Sequence, residues 1–436
     1  MKFNTQKGGV WSQGTPKIRK GDQWISIGGT TTDSGTVSGS GMGYSWDQTH
    51  TDTSWLSEAD SSNDITVETV TNLEPSGPGS LEEALENAED NDTTIVAFEV
   101  GGVIDHGPIS SNWMRSYADN VYVAGQTAPY PGITLIRGGV RVHGDNSIFH
   151  HMSFLPGDDV SDPNSQRAFT FDEDGNNNLV DHCTFAWAPD TNLRFRKDHS
   201  NHSAINCIIS EALNMSSHDE APHGYSIHMS ENISELAIMG NLVSHGWKRN
   251  PVCNHDGVEF CFINNYVYNW GDRHYHGTSS SPGPYIDWIG NVSEHGVNTD
   301  KSIGTFDHRA ATVYYNDQLL IPSDQSLSDS NLNYVNEPQN LPPGLEVDDI
   351  VSSTDLKDFL SPQIGPRPAN RDPVSDRIIT EWVNGEGQII DNENDVGGYP
   401  NYNLTSRSLN PPSTNVLDWL QRYTDEVELG AVNPLH

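Results

Sequence analysis

Short apolar segments, each preceded by a polar residue, recur through the middle of the chain. The polar positions are His182, Asn206, Asn241, Asn265 and Asn291, which gives steps of 24, 35, 24 and 26 residues. A repeat of this kind is typical of stacked coils, in which each coil contributes short strands whose apolar faces are buried by neighbouring coils. We expect the asparagines of successive coils to form a ladder of side-chain amide hydrogen bonds.

The step of 35 residues is longer than the others. It predicts a loop of about ten extra residues between Ile209 and Gly240. Because insertions in such arrays map to one face, often the binding face, the loop should border any functional site. We therefore predict that residues 210–236, with the turn around Arg249 on the next coil, wall the site.

Residue patterns at the two ends of the predicted stack indicate how each end is covered. Residues 81–88 carry apolar side chains at i, i+3, i+4 and i+7 behind Ser80, which predicts a short amphipathic helix that caps the first coil. Residues 94–100 follow as a strand, and strand patterns recur to about residue 315. Beyond residue 320 the chain is rich in Pro and Asn, so we expect it to wrap along the outside of the stack, with a short helix at 416–420.

The N-terminal part differs in composition from the repeats. Residues 10–11 and 17–25 favour two short β segments around a turn, and the following stretch is rich in Gly, Ser, Thr and Asp. The predicted organisation is a small N-terminal anchoring module, a linker, a β-helix and a C-terminal segment packed along it, at residues 1–40, 41–65, 66–320 and 321–436.

The charge of the chain is extreme, with 60 acidic against 23 basic residues and a net charge of −37. Eleven Trp and 9% aromatic residues argue against disorder. Since the acids are spread along the whole chain, they favour a hydrated surface suited to a salt-loving host, where repulsion is screened over about 3 Å at 1 M salt. A specific role in binding cations is the alternative. Binding to nucleic acid or to anionic membranes is disfavoured.

The location of the protein is less constrained. The sequence contains no apolar run long enough for membrane insertion, and its first residues lack an apolar signal core. The chain therefore acts without ordinary secretion or is a mature form, and we expect an extracellular or virion-associated location. Of four cysteines, Cys183 and Cys207 occupy successive coil positions; we expect buried thiols there, with a disulfide as the alternative.

Several segments resemble, in order, the pectate lyases of the parallel β-helix type. One carries the Asp-His pair of a family strand, another an Arg-x-Pro turn, and two match the tail of the secreted microbial branch. The resemblance implies an all-β fold, a right-handed parallel β-helix with a short N-terminal helix cap and a C-terminal wrapping segment. It covers about residues 75–400, through segments 79–84, 98–104, 121–133, 180–187, 248–251, 264–271, 371–377 and 395–400.

The resemblance also implies a reaction, β-elimination on a polyuronate such as pectate. A base removes the proton at C5 and the glycosidic oxygen at C4 leaves, while Ca²⁺ and basic side chains neutralise the carboxylate. The base of the family is an arginine, and Arg249 matches its position. Because a free guanidinium has a pKa above about 12, its surroundings must hold it deprotonated. The alternative role for Arg249 is to tie down a loop through backbone carbonyls.

The other candidate residues match the family less well. The assisting lysine has no counterpart on the inserted loop, where His218 and His223 are the catalytic candidates. Arg194, Lys248 and Arg273 are the candidate substrate-binding residues.

The calcium site of the family is only partly matched. Gln166 and Ala168 stand where the family has two acids, and Arg194 stands where a further acid is expected. Since Ca²⁺ accepts irregular cages of oxygen atoms, a cofactor Ca²⁺ would be held by the nearest remaining acids. These metal candidates, which are otherwise ordinary surface carboxylates, are Asp190, Asp172 and Asp174.

Two functions stay open. The first is a lyase that acts on an acidic polysaccharide or cell-surface glycan, with Arg249 as base. The second is a non-catalytic glycan-binding virion tail or cell-surface adhesin, because substrate-facing arginines are absent from residues 150–158, the calcium acids are displaced, and residues 1–40 suit assembly into a virion or a homotrimer. A tail-borne enzyme that cuts a surface glycan would combine the two.

Overall fold

A computed structural model describes most of the chain. The described residues are 17–20, 23–26, 42–107, 113–172, 175–196, 198–230, 232–253, 257–277, 283–301, 306–308, 311–323 and 332–430. Residues 10–11 and Asp174, which carried predictions, lie outside them.

Most of the strands are three to six residues long. In chain order they are β1 (Lys17–Lys20), β2 (Gln23–Ser26), β3 (Thr66–Val70), β4 (Thr94–Phe98), β5 (Val100–Asp105), β6 (Trp113–Ser116), β7 (Val121–Ala124), β8 (Ile133–Ile136), β9 (Gly139–Val142), β10 (Ser147–His150), β11 (Met152–Leu155), β12 (Arg167–Phe171), β13 (Leu179–Asp181), β14 (Thr184–Ala186), β15 (Thr191–Phe195), β16 (His199–Ile205), β17 (Ile208–Ser210), β18 (Tyr225–Met229), β19 (Ile233–Met239), β20 (Leu242–Ser244), β21 (Val252–Cys253), β22 (Glu259–Ile263), β23 (Tyr266–Tyr268), β24 (Tyr275–Gly277), β25 (Tyr285–Ile289), β26 (Val292–Glu294), β27 (Phe306–His308), β28 (Ala311–Asn316), β29 (Leu319–Ile321), β30 (Leu332–Val335) and β31 (Thr405–Ser406).

Helices are few and lie towards the two ends of the chain. The α-helices are α1 (Ser54–Ser62), α2 (Leu81–Ala88), α3 (Leu356–Leu360), α4 (Pro373–Asn384) and α5 (Val416–Leu429). Short 3₁₀ helices lie at Trp46–Gln48, Gly125–Thr127, Val347–Asp349 and Glu393–Val396. Among the described residues, none of these helices combines the length and the apolar character needed to cross a bilayer.

The strands after β2 form three long sheets. Sheet 1 has the order β3-β4-β7-β10-β13-β16-β19-β22-β25-β28-β30, sheet 2 has β29-β26-β23-β20-β17-β14-β11-β8-β5-β31, and sheet 3 has β27-β24-β21-β18-β15-β12-β9-β6. Neighbouring strands within them are parallel, except that β31 pairs antiparallel with β5. From β4 onward the chain passes from sheet 1 to sheet 2 to sheet 3 in each coil, so the predicted parallel β-helix is confirmed.

The interior of the coils is filled by rows of aromatic and aliphatic side chains. Phe154 of β11 stacks on Phe185 of β14 at 5.4 Å, and Phe169 of β12 meets both edge-on at 5.2 and 5.5 Å. All three side chains are fully buried. Since burying one such side chain stabilises the fold by roughly 1.5–3 kcal/mol, the repeated rows hold the coils together.

The asparagine ladder is present between sheet 1 and sheet 2. Asn241 Nδ2 donates to Asn265 Oδ1 at 2.9 Å, and Asn265 Nδ2 donates to Asn291 Oδ1 at 3.4 Å. The amide oxygens of Asn265 and Asn291 also accept from the backbone N–H groups of the preceding ladder residues, at 3.1 and 2.8 Å. The ladder therefore satisfies polar groups that burial would otherwise leave unpaired.

The register of the ladder differs by one position from the sequence repeat. β17 pairs with β20 so that Ile208 lies opposite Leu242, which makes this step 34 residues and places Cys207 beside Asn241. Cys207 N donates to Asn241 Oδ1 at 2.8 Å. The predicted place of Asn206 and His182 in the ladder is therefore wrong, because strand pairing rather than residue type sets the alignment.

Cys183 and Cys207 are buried thiols that form no disulfide, as expected. Cys183 N donates to Cys207 Sγ at 3.4 Å across successive coils, and burial raises the pKa of the Cys207 thiol. Both thiols thus act as small apolar groups in line with the ladder.

The predicted helix cap is confirmed. Ser80 Oγ accepts from Glu83 N at 3.2 Å, and Glu83 Oε2 accepts from Gly79 N at 2.6 Å. The apolar side of α2, including Leu81 and Leu85, is buried on the first coil. Together these contacts close the end of the stack, which an array of coils requires.

The segment 42–62 differs from the predicted linker. Tyr44 and Trp46 are buried against sheet 1, and α1 follows. Trp46 Nε1 donates to Asp181 Oδ2 at 2.8 Å, and Tyr44 N donates to Asn206 Oδ1 at 2.8 Å. The predicted linker is therefore packed on the coils, because the buried side chains of Tyr44 and Trp46 hold it there in spite of its Gly- and Ser-rich composition. Further towards the N-terminus, β1 and β2 form an antiparallel hairpin.

The C-terminal segment covers two of the three sheets, as the wrapping prediction requires. α4 packs Trp382 against Tyr266 of sheet 2, and α5 packs Leu420 and Tyr423 against sheet 1. The terminal helix is longer than predicted, and α4 was not foreseen. Within the described part of the chain, none of the apolar clusters covers the outer face of sheet 3, so that face is where polar chemistry can take place.

Candidate active site

Sheet 3 carries a row of basic side chains on its outer face. In β15, Leu193 and Phe195 point into the core, so Arg194 between them points outward. The same alternation holds in the neighbouring strands. Strand register places the outward residues side by side, in the order Arg115, Arg141, Thr170, Arg194 and His228.

A cavity of about 400 Å³ opens on this face. It lies where residues 211–224, the insertion loop between β17 and β18, meet the turn that contains Arg249, as predicted from the long step. Its lining is rich in charged and imidazole groups and consists of Asn164, Arg167, Asp190, Arg194, His218, Asp219, Glu220, His223, His228 and Arg249.

The insertion loop is held in place at several points. Ser217 N donates to Asp158 Oδ1 at 2.9 Å, and Asp219 N donates to Asn164 Oδ1 at 2.7 Å. At its base Asn214 N donates to Ile390 O of the C-terminal segment at 2.9 Å. These bonds fix the wall of the cavity to the rest of the protein.

Arg249 lies on a tight turn beside β18. Its φ of 65° is left-handed, and its carbonyl accepts from Ile227 N at 3.0 Å. The guanidinium carbon lies 3.7 Å from the centre of the Tyr225 ring. Burial lowers the pKa of Arg249, although the charges of Tyr225, Asp190 and Glu220 oppose this.

The alternative role for Arg249, tying down a loop, is not what its side chain does. Among the described residues its guanidinium makes no hydrogen bond to a carbonyl and no ion pair, and its Nε is buried without a partner. A cation in this state is poised to interact with a group that enters the cavity.

Arg194 is the second guanidinium of the cavity. Its Nε is also buried without a hydrogen-bond partner, and no ion pair to it occurs within the described ranges. Burial, with the nearby positive charge of Arg167, lowers the pKa of Arg194 to about 10, against the opposing charge of Asp190. It remains a cation at neutral pH.

Asp190 is the buried carboxylate of the cavity. Its Oδ2 lies 2.5 Å from Arg167 Nη2, and its Oδ1 accepts from Thr191 Oγ1 at 3.0 Å and lies 3.3 Å from His223 Nε2. Burial by itself raises the pKa of Asp190, but the bond from His223 and the charge of Arg167 outweigh it and hold the pKa well below its ordinary value.

The histidines of the insertion loop stack beside Tyr225. The rings of His218 and His223 are 3.8 Å apart, and His223 lies 3.6 Å from the Tyr225 ring. His218 Nδ1 accepts from Glu220 N at 3.0 Å. Burial lowers the pKa of His223, so this ring is neutral at pH 7.

The two remaining substrate-binding candidates, Lys248 and Arg273, are not part of the cavity lining. Lys248 Nζ is 5.5 Å from the Tyr225 ring and burial lowers the pKa of this amine. Arg273 does not line the cavity; its guanidinium contacts Asp272 at 3.5 Å and His276 at 3.1 Å.

The structure does not bring Asp190 and Asp172, the two described metal candidates, together. Asp190 N donates to Gln166 O, so Asp190 lies at the start of β12, whereas Asp172 follows its end. At about 3.3 Å per residue the two are roughly 20 Å apart. Asp172 instead pairs with Arg196 at 3.0 Å.

The donor set of the cavity does not fit calcium, which takes six to eight oxygen ligands. Both oxygens of Asp190 already have partners, Asp219 Oδ2 accepts from Asn164 Nδ2 at 2.7 Å, and the side chain of Glu220 is 78% exposed. Asp190, His218 and His223 offer ligand atoms within 4.8 Å of one another, but two of the three are nitrogen donors.

The basic row corrects the interpretation that the arginine-rich surface is lost. That interpretation rested on residues 150–158, where His150 and His151 are fully buried. The arginines lie instead on the strands of sheet 3, including Arg141 and Arg167, which sequence reasoning missed. A lone arginine among alternating apolar residues, as in Gly139–Val142, is the signal that would have found them.

A second cluster, of His150, His151, His182, Asp181 and Glu428, lies where the chain passes from sheet 1 to sheet 2 and is fully enclosed. His182 contacts Asp181 Oδ1 at 2.7 Å and the carbonyl of Gln363 at 2.8 Å, and His151 contacts Glu428 of α5 at 3.2 Å. The cluster fastens α5 to the coils.

Comparison with known proteins identifies the family. The chain is 30% identical over 348 residues to "Probable pectate lyase C" of Neosartorya fischeri, and the alignment covers 76% of each chain. The chain belongs to the pectate lyase family. The corresponding protein of Aspergillus oryzae is 28% identical over 347 residues, again with 76% of each chain covered. No family model matches the sequence.

Solved pectate lyases are among the structures to which the chain is similar, at low sequence identity. A pectate lyase from Bacillus sp. N165, in complex with trigalacturonate, is 11% identical, with a TM-score of 0.48 and coverage of 69% of this chain and 93% of that one. A pectate lyase bound to a hexasaccharide is 16% identical, with a TM-score of 0.46 and coverage of 77% and 99%. The fold assignment rests on the strand pairing described above.

Proposed function

We propose that this pectate lyase relative cleaves an acidic polysaccharide by β-elimination, with Arg249 as the base. The observation that carries the proposal is the state of Arg249. Its guanidinium is partly buried, lies on the Tyr225 ring and lacks an ion-pair partner among the described residues. Desolvation favours the neutral form of a base, and a neutral guanidine is able to accept a proton.

The charge of the cavity suits a polyuronate. A net charge of −37 repels polyanions in general, so a binding site for one must be locally positive. Arg194 supplies a cation without a carboxylate partner among the described residues, and Arg141 extends the row along the coils. Because adjacent strands are about 4.8 Å apart, a glycan laid along this row would meet Arg141 and Arg194 on either side of Thr170.

The proposed chemistry uses these groups in one sequence. Arg249 takes the C5 proton, the electron pair of the C5–H bond forms the C4–C5 double bond, and the C4–O bond breaks. The leaving glycosidic oxygen takes a proton from water. Arg194 neutralises the uronate carboxylate, which stabilises the enolate-like charge of the transition state. His223 supports the Tyr225 ring on which Arg249 lies.

The remaining roles follow from position. His218 stacks on His223 and shapes the wall, Lys248 adds positive charge beside Tyr225, and Arg273 lies further along the groove on the next coil. We place the protein outside the cell of a salt-loving host or on a virion, with residues 1–40 as an anchoring module.

The test is product formation by the Arg249→Ala and Arg249→Lys variants on polygalacturonate and on host surface glycan in molar salt. The expected result is an increase in absorbance from the unsaturated product with the wild type, and a loss of about a hundredfold or more with Arg249→Ala. Arg422→Ala, on the exposed side of α5, removes the same charge away from the cavity and should keep full activity.

Two outcomes would contradict the proposal. Full activity of Arg249→Ala would mean that another group is the base. Tight glycan binding without product on either substrate would favour the non-catalytic adhesin.

A further inference from the structure

We infer that Arg167 stands beside Asp190 where a calcium ion would otherwise lie, that Arg194 neutralises the uronate carboxylate, and that substrate binding needs no divalent cation. The inference rests on the proposed function, because it concerns the same site. It starts from the mismatch between the cavity and the calcium cofactor that the family resemblance implies.

The first step is the state of the buried carboxylate. Asp190 is the acid of this cavity that lies deep enough to anchor an ion, with its side chain 10% exposed. Arg167 Nη2 lies 2.5 Å from Asp190 Oδ2, which is the distance of a direct ion pair. A guanidinium therefore occupies the side of Asp190 that a metal ion would need.

The second step is the identity of the residues around this pair. Gln166 and Ala168 flank Arg167 on β12, and neither offers a carboxylate. On the adjacent strand β15, Arg194 lies opposite Thr170 and directs a further positive charge to the same cavity. A divalent cation placed here would meet two guanidinium groups and one carboxylate, which is electrostatically unfavourable.

The third step is the surplus of positive charge. The Arg167–Asp190 pair is neutral as a unit, so Arg194 remains as a cation without an ion-pair partner within the described residues. The two exposed acids, Asp219 and Glu220, lie on the rim of the insertion loop. A uronate carboxylate entering the cavity would complete the charge balance, with Arg194 as its partner and Arg249 free to act as base.

The first experiment measures binding of trigalacturonate by calorimetry after removal of metal ions with a chelating resin. The inference predicts the same Kd without calcium and with about 1 mM Ca²⁺, the affinity range of extracellular calcium modules. A tightening of about tenfold or more on calcium addition, or binding only with calcium, would overturn it.

The second experiment uses variants in the same assay. Arg194→Ala should weaken metal-free binding by about tenfold to a hundredfold, as expected for loss of a charge-assisted hydrogen bond, and Arg194→Lys should restore part of it. Arg422→Ala is the matched control and should bind as the wild type does. Unchanged binding by Arg194→Ala would overturn the assignment of Arg194.

A third variant tests the role of Arg167. Arg167→Asp would place a second carboxylate beside Asp190, and its trigalacturonate binding should become dependent on calcium while that of the wild type does not. Circular dichroism establishes that this variant folds. If it folds and binds equally well without calcium, the assignment of Arg167 fails.

The outcomes separate this inference from the proposed function. Calcium-independent binding without any unsaturated product would leave the inference standing and refute the lyase. Product formation together with trigalacturonate binding that occurs only in the presence of calcium would leave the lyase standing and refute the inference.

Discussion

Arg249 and Tyr225 form a cation–π pair at the floor of the cavity, with the guanidinium carbon 3.7 Å from the ring centre. The pair joins two successive coils, since Tyr225 begins β18 and its neighbour in the sheet, Lys248, precedes Arg249. The ring covers one face of the guanidinium, and this aromatic face carries no hydrogen-bond acceptor for the guanidinium N–H groups. The ring removes water from the guanidinium, which lowers the pKa of Arg249, while attraction between the ring and the cation opposes this shift.

Removing the ring should make Arg249 a poorer base. We expect Tyr225→Ala to lower kcat by about tenfold, within the roughly 0.5–2 kcal/mol range of cation–π pairs. Because burial lowers the pKa of Arg249, added solvation should raise it and move the pH–rate profile to higher pH. Tyr225→Phe keeps the ring and is the control. A rate loss in Tyr225→Ala without any shift of the profile would indicate a purely structural role.

The Arg167–Asp190 pair should contribute to stability in a pH-dependent way. The folded pKa of Asp190 lies below its unfolded value of about 3.9, so its contribution is present above that pH and is lost as the pH falls towards the folded pKa. We expect Asp190→Asn to lower the free energy of unfolding at pH 7 by about 3 kcal/mol, because Arg167 is left buried without its partner.

Urea denaturation at several pH values checks this prediction for Asp190. The variant should also show a flatter loss of stability below pH 4 than the wild type. Asp219→Asn, at an exposed position, is the control and should change stability little. A loss of similar size in both variants would contradict the buried ion pair.

The enclosed cluster under α5 predicts acid sensitivity near pH 6. Burial lowers the pKa of His150 to about 3 and that of His151 well below its ordinary value, so both rings are neutral in the folded protein and resist protonation. The stability that these two neutral rings contribute is therefore present above the unfolded pKa of about 6.5. As the pH falls below that value, the free energy of unfolding decreases by about 1.4 kcal/mol per pH unit for each ring.

His182 acts in the opposite direction. Burial lowers the pKa of His182, but the charges of Asp181 and Glu428 outweigh burial and raise it. The stability that His182 contributes is therefore present below the unfolded pKa, and it is lost as the pH rises through the pKa of the folded protein. Because the His182 contribution to stability is constant below the unfolded pKa, the two depressed rings should make the unfolding free energy fall between pH 6.5 and 5. His150→Gln should reduce this slope, and calorimetric melting as a function of pH measures it.

The asparagine ladder should be costly to interrupt. Asn265 is its middle rung and bonds to both Asn241 and Asn291. We expect Asn265→Ala to cost about 1–3 kcal/mol per polar group left unpaired, measured by chemical denaturation. Asn401→Ala, at an exposed position in the C-terminal segment, should stay within about 0.5 kcal/mol of the wild type. Equal effects of the two changes would contradict the ladder as a stabilising feature.

Local patterns in the sequence determined the scaffold of this protein. The apolar repeat predicts stacked coils, the residues after Ser80 predict the capping helix, and the long step predicts the insertion loop beside Arg249. Each of these is a signal between residues that are near in sequence, where the period of side-chain direction and the capping chemistry act directly.

Tertiary structure decided which side chains meet. The step of 34 rather than 35 residues places Cys207 beside Asn241, because strand pairing aligns Ile208 with Leu242. Arg167 and Asp190 become an ion pair because β12 and β15 are neighbours in sheet 3. Since coils vary in length, residue spacing does not specify cross-coil contacts. Hydrogen-bond register and burial of the inward faces specify them, and so they determine whether the cavity presents acids or arginines to its ligand.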